Sequence, residues 1–336
     1  MALPMDNNAL LDVKNLKVVY PTDEGVVRAV EGIDISLLPG ECAAIVGESG
    51  CGKSVTSLAI MRLLSSPPAL VDAKSIMFDG QELLDMSEKE LQSVRGSRMS
   101  IVFQDALTAL NPVVTIGYQI DEVYLRHVGK SKKAAKQRTI EALRAVGLPS
   151  PERRYHDYPH QLSGGMRQRV LIAMAFICKP KLIIADEPTT ALDVTIQAQV
   201  LDLLKSLQQA HGTSLILITH DLSVVARTAD KVYVMYAGKI VETATVRQLF
   251  QSPRHPYTKG LLALIPSMTD PLGERLAQIP FSVPSPMAKP TGCYFHPRCS
   301  EVTDACREKM PPLTDIGEGR SVRCHNNSRV DKEAVI

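Results

Sequence analysis

The sequence has no tryptophan, and aromatic residues make up only 4% of its 336 positions. It also has no long hydrophobic run. Apolar stretches such as Ala43–Val46 and Leu215–Ile218 fall far short of the ~20 residues that a membrane-spanning helix needs. The first residues, MALPMDNNALLDV, show neither the basic nor the apolar region of a secretory signal. These absences predict a chain that is soluble by itself and reaches a membrane only through a partner. An excess of one charge is missing too. Lys and Arg total 38, Asp and Glu 36, for a formal charge of +2, which gives no support to a basic nucleic-acid surface. Six Lys or Arg residues cluster within 126–138, but no aromatics interleave with them. That stretch reads as a solvated helix face. No internal repeat is present.

Hydrophobic residues at 45% and charged residues at 22% supply a sizeable core and exclude a mainly disordered chain. The length predicts about two domains. Short apolar runs alternate with amphipathic stretches, the pattern of an α/β fold. Strands are expected at 10–20, 42–46, 182–185 and 214–219, and helices at 53–64, 131–146 and 195–210. Residues 231–242 read as a hairpin turning at Ala237 and Gly238. Composition then shifts: eleven of the 22 prolines and four of the seven cysteines lie from Pro253 onward. This predicts one α/β domain over 1–250 and a loop-rich appendage over 251–336.

Residues 47–54 read Gly-Glu-Ser-Gly-Cys-Gly-Lys-Ser, a phosphate-binding loop between a strand and a helix. Glycines let successive backbone N–H groups face a phosphate, and the helix N-terminus adds positive potential. Lys53 is the candidate for the β- and γ-phosphates, and Ser54 for Mg²⁺. Gly47, Ser49, Gly50, Cys51, Gly52 and Val55 complete the expected ATP-binding set, with Cys51 a passive loop position. The apolar run 181–185 ends in Asp186 and Glu187. Asp186 is placed to hold Mg²⁺ through water, and Glu187 to deprotonate an attacking water.

Residues 162–169 read Leu-Ser-Gly-Gly-Met-Arg-Gln-Arg. Here the chain resembles the ATP-binding-cassette (ABC) ATPases, with Met166 in place of the usual glutamine. Gln104, the turn at 191–193 and His220 follow in family order, and the resemblance spans about 10–238. It implies a P-loop NTPase with a RecA-like core and a helical signature subdomain at about 105–175. It also implies a head-to-tail dimer with a second cassette, paralogue or self, whose ATP Ser163, Gly164, Gly165 and Asp193 contact in trans. Gln104 would sense Mg²⁺ and the γ-phosphate, His220 would bond the γ-phosphate, and Tyr20 would stack on adenine. Residues 105–112 and 253–258 extend the resemblance to the ATP-binding subunits of bacterial dipeptide and oligopeptide permeases, a group that includes nickel importers. A peripheral subunit on the cytoplasmic face of the plasma membrane is implied. It would drive peptide import with two membrane permease subunits and an extracytoplasmic solute-binding protein. The alternatives are import of nickel or another small solute, and a non-transport ABC ATPase with a redox-sensing cluster.

Seven cysteines, an odd number in a chain too long for a disulfide-stapled miniprotein, point to a reducing compartment. Cys293, Cys299, Cys306 and Cys324 are spaced too widely for the usual zinc pattern, and spacing alone leaves zinc, iron–sulfur and disulfides open. The peptide-permease resemblance implies a [4Fe–4S] cluster on these four, with His296 and His325 as substitute ligands. A proline-rich tail with few apolar residues is expected to be irregular and to need such a metal staple.

Overall fold

The computed structural model describes residues 8–190, 192–265 and 279–326. The chain forms two compact units and passes between them several times. One contains Leu37–Cys42 and the described residues of 78–218; the other contains Leu11–Ser36, Ala43–Met77 and the described residues of 219–326.

In the first unit, the strands Met99–Val102, Leu182–Asp186 and Ser214–Thr219 run parallel, with Met99 opposite Leu182 and Leu182 opposite Ser214. The latter two are buried along their whole length. Parallel strands covered on both faces need this nearly unbroken apolar sequence. Between the first two strands the chain is helical, at Ala106–Ala109, Ile116–His127, Lys132–Ala145, Pro151–Arg154 and Gly164–Phe176. Buried Asp121 ties three of these together: it accepts Thr139 Oγ1 at 2.6 Å and also the Tyr155 hydroxyl. A buried carboxylate is tolerated because both oxygens are bonded. Lys132–Ala145 buries Ala135, Thr139 and Leu143 on one face. Its Lys132, Lys133 and Lys136 are exposed, as expected for a solvated face.

In the second unit, Leu11–Thr22 pairs with Gly25–Leu37 and Ser75–Phe78 and, antiparallel, with Leu70–Asp72. A separate run of strands begins with Cys42–Val46, parallel to Lys231–Tyr236. It continues through Lys239–Thr245 and Arg320–Val322 to Thr314–Gly317. The hairpin turns where expected, at Ala237 and Gly238, with φ of 45° and 85°, the two positive values that a type I′ turn requires. The helix expected at 53–64 ends sooner, at Lys53–Ile60. Arg62 turns left-handed at φ 52°, and Pro67 and Pro68 follow, which a helix cannot continue into.

The tail departs from expectation in how it is held. It joins an apolar cluster shared with residues before 250: Phe295 packs edge-on to Tyr236 at 5.2 Å and tilted against Tyr257 at 5.4 Å. All three rings are buried in one apolar cluster with Val46 and Leu249. Lys289 Nζ donates to Glu31 Oε1 at 2.6 Å and to the carbonyls of Arg28 and Ala237. Tyr294 donates to the other Glu31 oxygen at 2.8 Å. Buried Glu242 accepts the N–H groups of Arg254 and His255 at 2.9 and 2.8 Å. Aromatic packing, ion pairs and strand pairing therefore hold the described tail, which buries its rings in a cluster shared with residues before 250. A handful of well-placed aromatics supplies what overall composition lacks.

Candidate functional site

Each unit carries part of the expected site. Tyr20, the loop 47–55 and His220 belong to the second unit, and Gln104, Ser163–Gly165, Asp186, Glu187 and Asp193 to the first.

The phosphate loop leaves the strand Cys42–Val46 and enters the helix at Gly52, whose φ is 104°. A Cβ on Gly52 would lie 2.5 Å from the Ala29 carbonyl oxygen, and one on Gly47 would lie 2.2 Å from that of Met235. Only glycine fits either place. Lys53 is buried, with its ammonium turned into the loop, donating to the carbonyls of Gly47 at 2.8 Å and Glu48 at 3.1 Å. Ser49 and Gly50 face solvent at the crest; Ser54 and Val55 are half-buried in the first helical turn. Cys51 is buried, and desolvation pushes its thiol up to about 11, so it is an inert packing thiol. Tyr20 is half-buried, and burial raises its hydroxyl. His220 is exposed, just past the strand Ser214–Thr219.

In the first unit, Asp186 ends the buried strand Leu182–Asp186. Glu187 follows at φ 44°, a left-handed conformation rare for glutamate. Its N–H is fixed by the Ile218 carbonyl at 2.9 Å. Its Oε2 accepts Gln104 Nε2 at 3.2 Å and Thr190 Oγ1 at 3.0 Å. Two acceptor bonds on one oxygen hold this carboxylate in place. Ser163 caps the helix Gly164–Phe176 by accepting the Met166 N–H at 3.4 Å. The departure from glutamine at 166 leaves that cap intact, because the bond uses backbone. Asp193 likewise caps Val194–His211, accepting the Ile196 N–H at 3.0 Å. A Cβ on Gly165 would lie 2.6 Å from Ile196 Cγ2, and one on Gly164 3.5 Å from Leu192, so the Ser163 loop and the Asp193 turn are neighbours. Ala191, part of the expected turn, lies outside the described residues.

Profiles of two families match the chain: "ABC transporter" over residues 30–190, and "oligopeptide/dipeptide transporter, C-terminal region" over 241–306. The oligopeptide transport ATP-binding protein OppD of Bacillus subtilis is 51% identical over 94% of this chain and 88% of its own. The dipeptide transport ATP-binding protein DppD of Escherichia coli is 50% identical over 94% of this chain and 96% of its own. The chain belongs to the ABC transporter ATP-binding proteins. Among solved structures, the dimeric ATP-binding cassette MJ0796 bound to ADP and Pi covers 70% of this chain and 99% of its own, with a TM-score of 0.63 and 27% identity. CbiO1 from Clostridium perfringens, part of an ABC transporter complex, covers 73% and 92% with a TM-score of 0.61. The ABC cassette fold expected from the sequence is therefore present. No helix among the described residues is long and apolar enough to cross a membrane.

Three contacts of this ABC protein's site were not legible in its motifs: Thr190 on Glu187, the Tyr257 hydroxyl accepting the Glu48 N–H at 2.9 Å, and Arg298 on the Glu48 carboxylate. The last two join residues more than two hundred positions apart, beyond any local signal.

The four tail cysteines are unpaired thiols lining one small cavity. Burial raises Cys293, and pushes Cys299 and Cys324 up to about 11. Backbone N–H groups of Glu301 and Asn326 point at the sulfurs of Cys299 and Cys324, at 3.3 and 3.4 Å. Among the described residues, no three His, Cys, Asp or Glu side chains are arranged to hold a metal ion. His296 and His325, the expected substitutes, lie within hydrogen-bond distance of the carbonyls of Cys293 and Lys309.

Proposed function

We propose that this chain is the ATP-hydrolysing subunit that energises import of di- and oligopeptides through a membrane ABC permease. The observation that carries the reading is the joining, in one chain, of a formed phosphate loop to a tail matching the oligopeptide/dipeptide transporter C-terminal region. The named relatives, peptide transport ATP-binding proteins at about half identity over nearly the full length, support the substrate class.

Residue roles follow from the chemistry of the groups. The Lys53 ammonium exchanges the Gly47 and Glu48 carbonyls for the β- and γ-phosphates, and loop N–H groups bind the same oxygens. Ser54, Gln104 and, through water, Asp186 would hold Mg²⁺, which would supply neutralisation of phosphate charge. Glu187 takes the proton of the attacking water, and His220 orients that water and bonds the γ-phosphate. Tyr20 stacks on adenine. Ser163, Gly164, Gly165 and Asp193 act on ATP held by a second cassette, an arrangement the dimeric relative MJ0796 supports. Residues 1–250 form the cassette, with its helical part at about 105–175, and 251–336 the extension. The subunit works peripherally on the cytoplasmic face of the membrane, with two permease subunits and an extracytoplasmic binding protein.

The finer reading places a [4Fe–4S] cluster on Cys293, Cys299, Cys306 and Cys324. What supports this reading is that the four thiols line one cavity and two receive N–H···S bonds. Anaerobically purified protein should carry iron and a broad absorbance near about 400 nm; colourless, iron-free protein overturns this assignment.

The transport reading is tested by reconstitution with the permease subunits co-purified from the membrane. Peptide-loaded binding protein should stimulate ATP hydrolysis. Stimulation by nickel and not by peptide, or partners that are soluble or ribosomal, would overturn it.

A further inference from the structure

Glu48 is an acidic residue inside the phosphate loop, one residue after Gly47. The loop compensates in an unusual way. Arg298, from the tail, closes on Glu48 as a bidentate fork, Nη1 to Oε2 at 2.7 Å and Nη2 to Oε1 at 3.0 Å. The guanidinium is held from behind, with Nε donating to the Pro280 carbonyl at 2.8 Å and Nη1 reaching the Tyr236 hydroxyl at 3.4 Å. Its side chain is 3% exposed, while that of Glu48 is 28% exposed. The cation is therefore the buried, fixed partner, and the anion is the one held back. The Tyr257 hydroxyl accepts the Glu48 N–H from the same tail. The hydrogen bonds that Arg298 donates to Glu48 in turn raise the Arg298 pKa and keep it charged.

We propose that Arg298 is a positioning residue for nucleotide binding: it neutralises Glu48 and holds the carboxylate off the phosphates, so that the C-terminal tail sets the affinity of the phosphate loop for ATP. This rests on the reading of residues 47–54 as an ATP site. Without Arg298, the Glu48 carboxylate is an uncompensated negative charge within the phosphate loop, and its repulsion of the bound phosphates weakens ATP binding. An Arg buried in a fork with a carboxylate is not interchangeable with a point charge, so Lys replaces it only in part.

The experiment compares ATP affinity by calorimetry, together with KM and kcat, in wild type, Arg298→Met, Arg298→Lys, Glu48→Gln and the double variant Glu48→Gln/Arg298→Met. Wild type is measured first: failure to bind ATP defeats the reading of the loop itself, not the role of Arg298. Given wild-type binding, Arg298→Met should raise Kd and KM for ATP about tenfold, with kcat changed less. That deficit should shrink as salt rises from about 0.05 to about 0.5 M. The double variant should bind ATP at least about fivefold tighter than Arg298→Met alone, because removing the carboxylate removes the repulsion. Arg298→Lys should lie between wild type and Arg298→Met. A double variant as weak as Arg298→Met, or a deficit indifferent to salt, would make Arg298 a structural residue only and overturn the proposal. If Arg298→Met does not fold, Arg298→Lys with and without Glu48→Gln gives the same comparison. An unchanged Kd in Arg298→Lys, or no gain on adding Glu48→Gln, then overturns it.

Discussion

Gln104 donates its side-chain amide to the Glu187 carboxylate across 3.2 Å, on the same oxygen that Thr190 bonds. The two residues lie 83 positions apart, and the bond holds a carboxylate whose own backbone is left-handed. A general base benefits from being held in one orientation before its substrate arrives.

Replacing Glu187 with Gln keeps the shape and removes the basic oxygen pair. Hydrolysis should fall about 10²–10⁴-fold, the usual contribution of a general base, while ATP still binds. Single-turnover hydrolysis alongside equilibrium ATP binding checks this; turnover near wild type would remove Glu187 from the role.

Lys53 is the one loop cation already turned inward, toward the carbonyls of Gly47 and Glu48. Lys53→Ala should weaken ATP binding by about tenfold or more, as expected for loss of a charged phosphate contact. Calorimetric titration reads this directly, with unchanged melting temperature showing that the loop still folds.

Asp79 gives a pH signature away from the site. Burial works to raise its carboxyl, but hydrogen bonds from Lys181 and Arg98 outweigh this and hold it below the usual value. The unfolded chain therefore takes up the proton first as pH falls. The stability from this group is complete well above its unfolded pKa of about 3.9 and is lost as pH falls through and below that value. Asp79→Asn suits the site's φ of 49°. It should be less stable than wild type at neutral pH, with the gap closing near about pH 3. Denaturant midpoints at the two pH values measure it, and a gap independent of pH would refute the linkage.

The tail should remain docked when its cysteines are disabled, because Lys289, Arg298 and the strand Arg320–Val322 hold it through protein contacts. Cys299→Ser with Cys324→Ser should abolish any iron absorbance. Limited proteolysis should still leave the extension as protected as in wild type. Rapid cleavage around residues 280–325 in that variant would show that the metal is needed after all.

The phosphate loop, the acidic strand end and the Ser-Gly-Gly helix start were legible in the sequence, because each is set by a few adjacent residues. Gly47 and Gly52 are required by local backbone geometry, and Ser163 and Asp193 are ordinary N-caps. The hairpin at Ala237 and Gly238 was legible for the same reason. What composition concealed was the docking of the tail. Phe295, Tyr257 and Tyr236 act through packing across long sequence separations, and a count of apolar residues says nothing about where three rings meet. The Glu48–Arg298 pair, 250 residues apart, was invisible for the same reason: a buried ion pair is a property of the folded contact, not of either motif.

The strand Lys239–Thr245 is flanked by Lys231–Tyr236 on one side and by Arg320–Val322 on the other. Its central residues are buried, and a bare edge there would offer unpaired N–H and C=O groups to any passing strand. Arg320–Val322 closes that edge from within the same chain. The outermost strand is then Thr314–Gly317, only four residues, fully exposed and ending in glycine, a poor template for further pairing. A protein cut short near residue 250 loses this cover and should self-associate edge to edge, which sedimentation of the truncated chain beside wild type would read.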